Sequence, residues 1–518
     1  MAVETQVTEA SQNGHGNGKT FAVENPATGE TIAHLPDMDA AQVKALVDRA
    51  RAAQPAWAET SFDERAKIMF RARKWLVDNR ERAARTVMDE TGKTREDAFI
   101  ADVFTTADAL GFWAKKASTY LGDERVRSAN PFVLGKKVVV RYRPFGVAGV
   151  IGPWNYPIAN CFGDAIPALM AGCTVVLKPS EVTPLSSLFI EEGMREAGLP
   201  EDVLLVATGT GETGAALVDE CDVVMFTGST RTGKKVAARA VESLTPFSLE
   251  MGGKDPMIVL RDADVDRAAN EAVYWGMANG GQICQSVERV YVEEQVYDEF
   301  VDKVVKQVKE LKQGRSNGPG SAEVGAITFA PQQEIIERHI ADAIEKGAEI
   351  RTGGKPADVG GAGRWFQPTV LTNVDHTMEC MTEETFGPTL PIMKVKDEHE
   401  ALRLANDSRY GLNSSVYTKD IEKGERIARQ LSAGSACVND TVVNYAAAEA
   451  PFGGTGESGM GVRHGPQGIR KYCGVQTVLV ARRALKREAY MFPYTPMKSK
   501  LVERVSVAMY GRVPKKYR

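Results

Sequence analysis

The chain lacks a cysteine framework. Its seven cysteines, Cys161, Cys173, Cys221, Cys284, Cys380, Cys437 and Cys473, are scattered, odd in number, and form no Cys-x-x-Cys pair. That pattern argues against a disulfide scaffold or a zinc site, so no metal is expected, and it points to a reducing compartment. No run of about 18 apolar residues occurs, so no spanning helix is expected. Residues 1–19 (MAVETQVTEASQNGHGNGK) have no apolar stretch and carry acidic residues, so they are not a signal peptide. Rich in Gly, Asn and Ser, they read as a short disordered tail, and the expected location is cytoplasmic. Positive charge is not in excess either. A formal net charge of −4 speaks against a nucleic-acid partner.

What is present is ordinary globular material. Hydrophobic residues at 43% and charged residues at 25% supply ample core. At roughly 150 residues per domain the length suggests about three domains. Residues 40–120 read as helices: Val43, Leu46, Val47 and Ala50 share one face, and Ile68, Ala72, Trp75 and Leu76 repeat the pattern. Residues 136–142 read as a strand with basic ends. An alternation follows, with strands at 146–151, 174–177, 203–206 and 223–226 and helices at 158–171, 185–197 and 233–242. Such a rhythm means parallel strands joined by crossover helices, and an open sheet of that kind binds ligands at the carboxyl ends of its strands. A second alternating region starts near residue 256, with helices at 264–278, 295–312 and 331–346 and strands near 289–292 and 369–371. The end differs. Residues 482–518 carry eleven Lys and Arg against two acidic residues, a net of +9, which leaves −13 for the rest of the chain.

Five segments carry candidate chemistry. Cys284 sits in Gly281-Gln282-Ile283-Cys284-Gln285, after a helix and Gly280-Gly281 and before a strand. It is either a buried small hydrophobe or a nucleophile on a loop whose glycines permit close approach of a ligand. A nucleophilic thiol needs an activating base. The six histidines are distant in sequence, whereas Glu250, in an apolar stretch running into Gly252-Gly253, is nearer. In an apolar pocket its pKa rises toward neutrality, as a general base requires; the alternative is an ion-paired carboxylate. In Pro153-Trp154-Asn155-Tyr156-Pro157 two prolines fix the chain and Asn155 projects between them. It is a rigid turn or an oxyanion donor, since an amide NH₂ bonds an alkoxide without delivering a proton. Residues 226–233 (FTGSTRTG) close a strand and open a helix, with Gly228 and Gly233 placed to let backbone N–H groups face a phosphate. The neighbouring strand ends in Lys178-Pro179-Ser180-Glu181, whose Lys and Glu suit ribose hydroxyls.

Together and in this order, these segments resemble the aldehyde dehydrogenase superfamily, from about Phe21 to Arg482. The likeness includes residues 25–30 (NPATGE), 383–388 (EETFGP) and 451–459 (PFGGTGESG). It implies an α/β fold with two open parallel-sheet domains and an oligomerisation β-hairpin. The NAD-binding Rossmann-like domain would cover 20–121 and 148–251, the catalytic domain 252–465, the oligomerisation element 122–147 and 466–481, and a basic extension 482–518. It implies NAD, with NADP possible, an aldehyde substrate and a homodimer or homotetramer. Cys284 would attack the carbonyl, Asn155 and the Cys284 N–H would hold the oxyanion, and Glu250 would activate water to hydrolyse a thioester. Ile151 and Trp154 would line the cofactor crevice. Lys178 and Glu181 would hold the adenosine ribose and Gly228 and Ser229 would face the pyrophosphate, with Ser180 and Gly211 also at the cofactor. Glu384 would hold the nicotinamide ribose and Phe386 would pack near the ring.

Glu457 stands where many members of that family have Lys. The ending of residues 451–465, and residues 490–495 (YMFPYT), look more like the class that handles aromatic and fatty aldehydes, whereas the middle looks more like the semialdehyde branch. Residues 158–163 would line the tunnel mouth, where Gly163 would admit a bulky or extended aldehyde, and the lack of an Arg in these segments to pair a carboxylate favours such a substrate over succinic semialdehyde. Three rivals share features. A Cys thiol hydrolase or acyltransferase needs neither the 228–233 turn nor Glu384, a coenzyme-A-acylating dehydrogenase lacks the Glu at 250, and a binding protein has no reason to keep Asn155, Glu250 and Cys284 together. The amphipathic basic segment 498–510 is expected to dock on a subunit boundary, the alternative being weak contact with an anionic membrane surface.

Overall fold

The computed structural model describes residues 18–482, 486–488 and 490–518. The expected disordered tail therefore lies, up to residue 17, outside the described residues. The chain forms two compact units, one running up to Leu121 and continuing with Arg143–Gly474, the other made of Gly122–Tyr142 and Val475–Arg518.

The first unit contains two main sheets. In one, β1 (Val147–Ile151), β2 (Thr174–Lys178), β3 (Leu204–Val206), β4 (Val223–Gly228) and β5 (Phe247–Met251) pair in the order β5-β4-β1-β2-β3, all parallel. A short strand, Gly459–Met460, adds antiparallel to β5. Every residue of β1 and β2 is buried, the unbroken apolar run expected of parallel strands covered on both faces. The chain steps from β1 outward to β3 and then returns to β4 on the other side of β1. A topological switch point therefore lies between β1 and β4, and its crevice opens at their carboxyl ends. Helix α1 (Ala40–Glu59) covers this sheet. It starts with a reciprocal capping box between Asp39 and Gln42, and its Val43, Val47 and Ala50 enter the sheet's core.

The second sheet comprises β6 (Asp255–Val259), β7 (Val287–Glu293), β8 (Glu349–Thr352), β9 (Thr369–Thr372), β10 (Thr389–Val395), β11 (Ser415–Tyr417) and β12 (Cys437–Val438), in the order β8-β9-β10-β7-β6-β11-β12. Only β8 runs antiparallel to its neighbour. Side chains alternate between two cores. Met257, Val259, Val290 and Val292 pack with α2 (Val265–Met277) and α3 (Glu294–Glu310), while Ile258 and Tyr291 face α4 (Ala330–Glu345).

One expected helix is shortened. The helix foreseen from residue 158 begins at Cys161, forming α5 (Cys161–Ala171). The buried Asp102 carboxylate accepts the N–H groups of Ile158 and Ala159, at 3.0 and 3.1 Å, and a turn from the Asn160 N–H to the Tyr156 carbonyl precedes the helix. Asp102 itself lies in a seven-residue π-helical stretch, Ala98–Phe104, which the periodicity of residues 40–120 does not reveal.

The second unit holds strand Glu124–Val126, antiparallel to Lys137–Pro144, in a three-stranded sheet with Cys473–Val480. Its last helix, α6 (Pro496–Tyr510), is capped by Thr495 and exposes Met497, Leu501, Val502 and Val505. Among the described residues no helix is long and apolar enough to cross a membrane.

Candidate active site

The loop that carries Cys284 is built by three consecutive left-handed residues. Asn279, Gly280 and Gly281 have φ of 51, 63 and 70°. A Cβ at Gly281 would lie 2.0 Å from the Gly387 carbonyl oxygen, so only glycine fits there. Asn279 is one of the side chains that tolerate this region. Its Nδ2 donates to the Gln282 carbonyl at 3.1 Å, and the Gln282 Nε2 donates back to the Asn279 carbonyl at 2.7 Å. Gln282 also accepts the Thr328 N–H at 2.8 Å. The thiol is therefore held on a rigid turn immediately before β7.

Cys284 Sγ donates toward Glu250 Oε1 at 3.7 Å. Burial, reinforced by the Glu250 charge, pushes the thiol well above its ordinary pKa, so the proton stays on sulfur until a base takes it. Glu250 stands near the end of β5, paired in register with Thr227 of β4 and with Gly459. Burial raises its pKa too, while Arg463 opposes that rise and Asp164 adds to it.

Arg463, Asp164 and Lys471 were not found from the sequence. The Arg463 Nη1 forms a close ion pair with Glu250 Oε2, and its Nη2 meets Asp164 Oδ2 at 2.5 Å. Lys471 Nζ lies 3.4 Å from Asp164 Oδ1. All four side chains are buried or nearly so, and their formal charges cancel. Asp164 is held below the usual carboxylate range, because Arg463 and Lys471 outweigh its burial. The only local sequence signal is that charged residues punctuate two otherwise apolar or Gly-rich stretches.

Asn155 is anchored from both ends. Its Nδ2 donates to the Gln282 carbonyl at 3.0 Å, which ties it to the Cys284 turn and leaves its second N–H as a donor. Its own carbonyl accepts from Lys93 Nζ at 2.7 Å and from Asn279 Nδ2 at 3.3 Å. Lys93 is paired with Asp102 at 3.0 Å, both side chains being fully enclosed. This pair also escaped the sequence reading, since it joins a helix end to a π-helical turn. Asn155→Ala is expected to lower kcat about 10²–10³-fold, the usual cost of one oxyanion donor. The check is steady-state kinetics alongside the NAD Kd; a kcat within about twofold of wild type would remove Asn155 from that role.

The candidate cofactor residues gather at the switch-point crevice. Ile151 and Lys178 end β1 and β2, side by side in register. Lys178 Nζ meets Glu181 Oε2 at 3.3 Å, and the Ser180 hydroxyl accepts the Val182 N–H. Gly228 ends β4, and Ser229 caps the next helix, Thr230–Glu242. Gly211 begins helix Gly211–Glu220, and a Cβ there would meet nothing within 4 Å. The N-terminus of helix Gly211–Glu220, near Lys178 and bonded to Asp37, and that of helix Thr230–Glu242, capped by Ser229, are candidate donors for a dinucleotide's phosphates and ribose. Trp154 packs edge-on against Phe386, with ring centroids 5.3 Å apart. The buried Glu288, paired with Lys254, accepts the N–H of Phe386 and so fixes it. Glu384 accepts the Gly253 N–H at 3.1 Å, and burial together with Glu288 pushes its pKa up to about 8. Glu457 bridges Lys234 at 2.6 Å and Arg409 at 3.0 Å, tying its loop to the helix after Ser229.

A cavity lined by Trp113, Ala159, Gly163, Asp164, Tyr445 and Arg463 adjoins this cluster. Of the expected tunnel-mouth residues, Ala159 and Gly163 face it, while Cys161 and Phe162 are buried in α5. A Cβ at Gly163 would meet nothing within 4 Å.

Two open, largely parallel sheets thus bring a thiol into contact with a buried carboxylate. The chain belongs to the aldehyde dehydrogenase family, whose sequence profile matches residues 13–478. It is similar to 4,4'-diapolycopene aldehyde oxidase of Methylomonas sp, with 38% identity over 92% of this chain and 88% of the relative. A relative from Mycolicibacterium smegmatis, bearing the name succinate-semialdehyde dehydrogenase with NADP(+), is 42% identical over 89% of this chain and 88% of its own. Among solved structures, betaine aldehyde dehydrogenase of Staphylococcus aureus in complex with NAD+ superposes with a TM-score of 0.85 at 32% identity, over 90% of this chain and 92% of that one. The protein is thus an enzyme that oxidises an aldehyde to the acid with NAD(P), through the cysteine chemistry of its family. The family is generally oligomeric.

Proposed function

We propose that Cys284 is the nucleophile, Asn155 and the Cys284 N–H the oxyanion donors, and Glu250 the general base, acting on a medium or long aliphatic or aromatic aldehyde. The contact between Cys284 Sγ and Glu250 Oε1 at 3.7 Å carries this reading. Glu250 takes the thiol proton, sulfur adds to the carbonyl carbon, and the oxygen of the resulting thiohemiacetal faces Asn155. Bound NAD(P) supplies the hydride acceptor that leaves a thioester. Glu250 releases the thiol's proton to solvent and then takes a proton from water; the hydroxide adds to the thioester, the C–S bond breaks, the acid departs as its carboxylate, and the Cys284 thiolate recovers its proton from Glu250. Residues 20–121 and 148–251 make the cofactor domain and residues 252–465 the catalytic domain in this reading. Residues 122–147 and 466–481 serve a homodimer or homotetramer in the cytoplasm. The basic extension docks on a subunit boundary rather than on an anionic membrane.

NAD is preferred over NADP, because the Glu181 charge repels a 2′-phosphate. The opening at Gly163 favours a bulky substrate. Succinic semialdehyde is the second reading, favoured by the name of the mycobacterial relative and by Arg463 and Lys471 at the cavity. Those cations, however, already face Glu250 and Asp164. A panel of octanal, benzaldehyde and succinic semialdehyde with each cofactor, read at 340 nm, tests both choices. Octanal or benzaldehyde with NAD should give the highest kcat/KM, and Gly163→Trp should lower it about tenfold or more by filling the opening. Better kcat/KM on succinic semialdehyde, or with NADP, contradicts the respective choice.

A further inference from the structure

Three charged side chains, Arg463, Asp164 and Lys471, meet in the interior beside Glu250. Glu250 uses its two oxygens differently. Oε1 faces Cys284 Sγ, and Oε2 is in ion-pair contact with Arg463. Arg463 is shared: its Nε and Nη2 also bind Asp164, and its Nη2 donates to Thr227 Oγ1, the residue paired with Glu250 across β4 and β5. The charged and titratable groups facing Glu250 are Arg463 from the 451–465 loop, Asp164 from α5, Lys471, Cys284 and Tyr445. The backbone is built to aim Arg463 inward. His464, directly after it, takes a left-handed φ of 59°, and its ring packs on Tyr445 with centroids 4.7 Å apart. A non-glycine residue keeps that conformation only when its surroundings enforce it.

We propose that Arg463 is a positioning residue that keeps the Glu250 carboxylate an anion with Oε1 turned to Cys284, and that Asp164 limits this effect by sharing the same guanidinium. The inference rests on Glu250 being the base. A carboxylate alone in this interior takes up a proton, and a protonated Glu250 accepts nothing from thiol or water. A full, unshared guanidinium would hold it so acidic that it would be a poor base. Sharing with Asp164 sets an intermediate strength, and Lys471 balances the charge that Asp164 brings.

The two charges should therefore act with opposite signs. The test measures the steady-state phase after the NADH burst from pH 5.5 to 9.5 with octanal, for Arg463→Leu, Arg463→Lys and Asp164→Asn. Wild-type turnover rises with pH as Glu250 loses its proton. Arg463→Leu should move that rise about one pH unit or more upward and lower turnover at pH 7 on the order of 10–100-fold. Arg463→Lys should restore part of the loss. Asp164→Asn should move the rise downward. NAD binding, measured by fluorescence titration, should stay unchanged in all three and serves as the check on folding. If Arg463→Leu does not fold, the downward shift in Asp164→Asn and the smaller upward shift in Arg463→Lys still decide. An unmoved profile in the folded variants overturns the proposal. So does a loss confined to the KM for succinic semialdehyde, which would make Arg463 a substrate-carboxylate site. Failure of the base reading itself is distinguishable, because Glu250→Gln would then turn over normally.

Discussion

Cys284→Ala should lose aldehyde oxidation by on the order of 10⁴-fold or more while binding NAD as tightly as wild type. No other sulfur can substitute. The remaining cysteines are buried, whereas Cys284 is partly open and its Sγ meets the Glu250 carboxylate that can take its proton. Cofactor affinity is spared because the cofactor candidates sit mainly at the ends of β1, β2 and β4, on the six-stranded sheet, while the Cys284 turn feeds β7 of the other sheet. Removing one sulfur leaves Asn279, Gln282 and Asn155 bonded to one another through groups that do not involve the thiol. Equilibrium NAD titration and NADH formation at 340 nm check the two halves. Activity above a trace would end the covalent mechanism; loss of NAD binding would mean that the turn had collapsed.

Glu250→Gln should give a burst of NADH stoichiometric with the chain and then a steady rate about 10²–10⁴-fold below wild type, the range for loss of a general base. The amide has nearly the shape of the carboxylate but accepts no proton from water. The pH dependence has a definite sign. Burial raises the Glu250 pKa against the pull of Arg463, so wild-type turnover should climb with pH through a midpoint above the ordinary carboxylate range. In the Gln variant that climb should vanish. Because Glu250 also faces the thiol, the burst itself should be slower than wild type, with its amplitude preserved. Full steady-state turnover would remove Glu250 from the mechanism.

The alternating strands and helices, and the apolar runs of β1 and β2, were legible because a parallel sheet buried on both faces writes its strands as unbroken Val, Ile, Leu and Ala. Cys284, Glu250 and Asn155 were legible because each stands at a strand end or on a Gly- or Pro-fixed turn, and the structure brings Cys284 and Glu250 into contact across 34 residues. The polar groups around them were not. Lys93 and Asp102 reach Asn155 from a helix end and a π-helical stretch, and Arg463 reaches Glu250 across more than 200 positions. A buried ion pair has no periodicity; its two halves look like surface charges until the chain is folded.

The central claim is a covalent acyl group on Cys284. Glu250→Gln should hold that group long enough to see it. The variant, mixed with NAD and octanal, quenched in acid after the burst and digested, should show one peptide heavier by an octanoyl group, and fragmentation should place the group on Cys284. Unmodified Cys284 after a full NADH burst, or the acyl group on another side chain, would contradict the account.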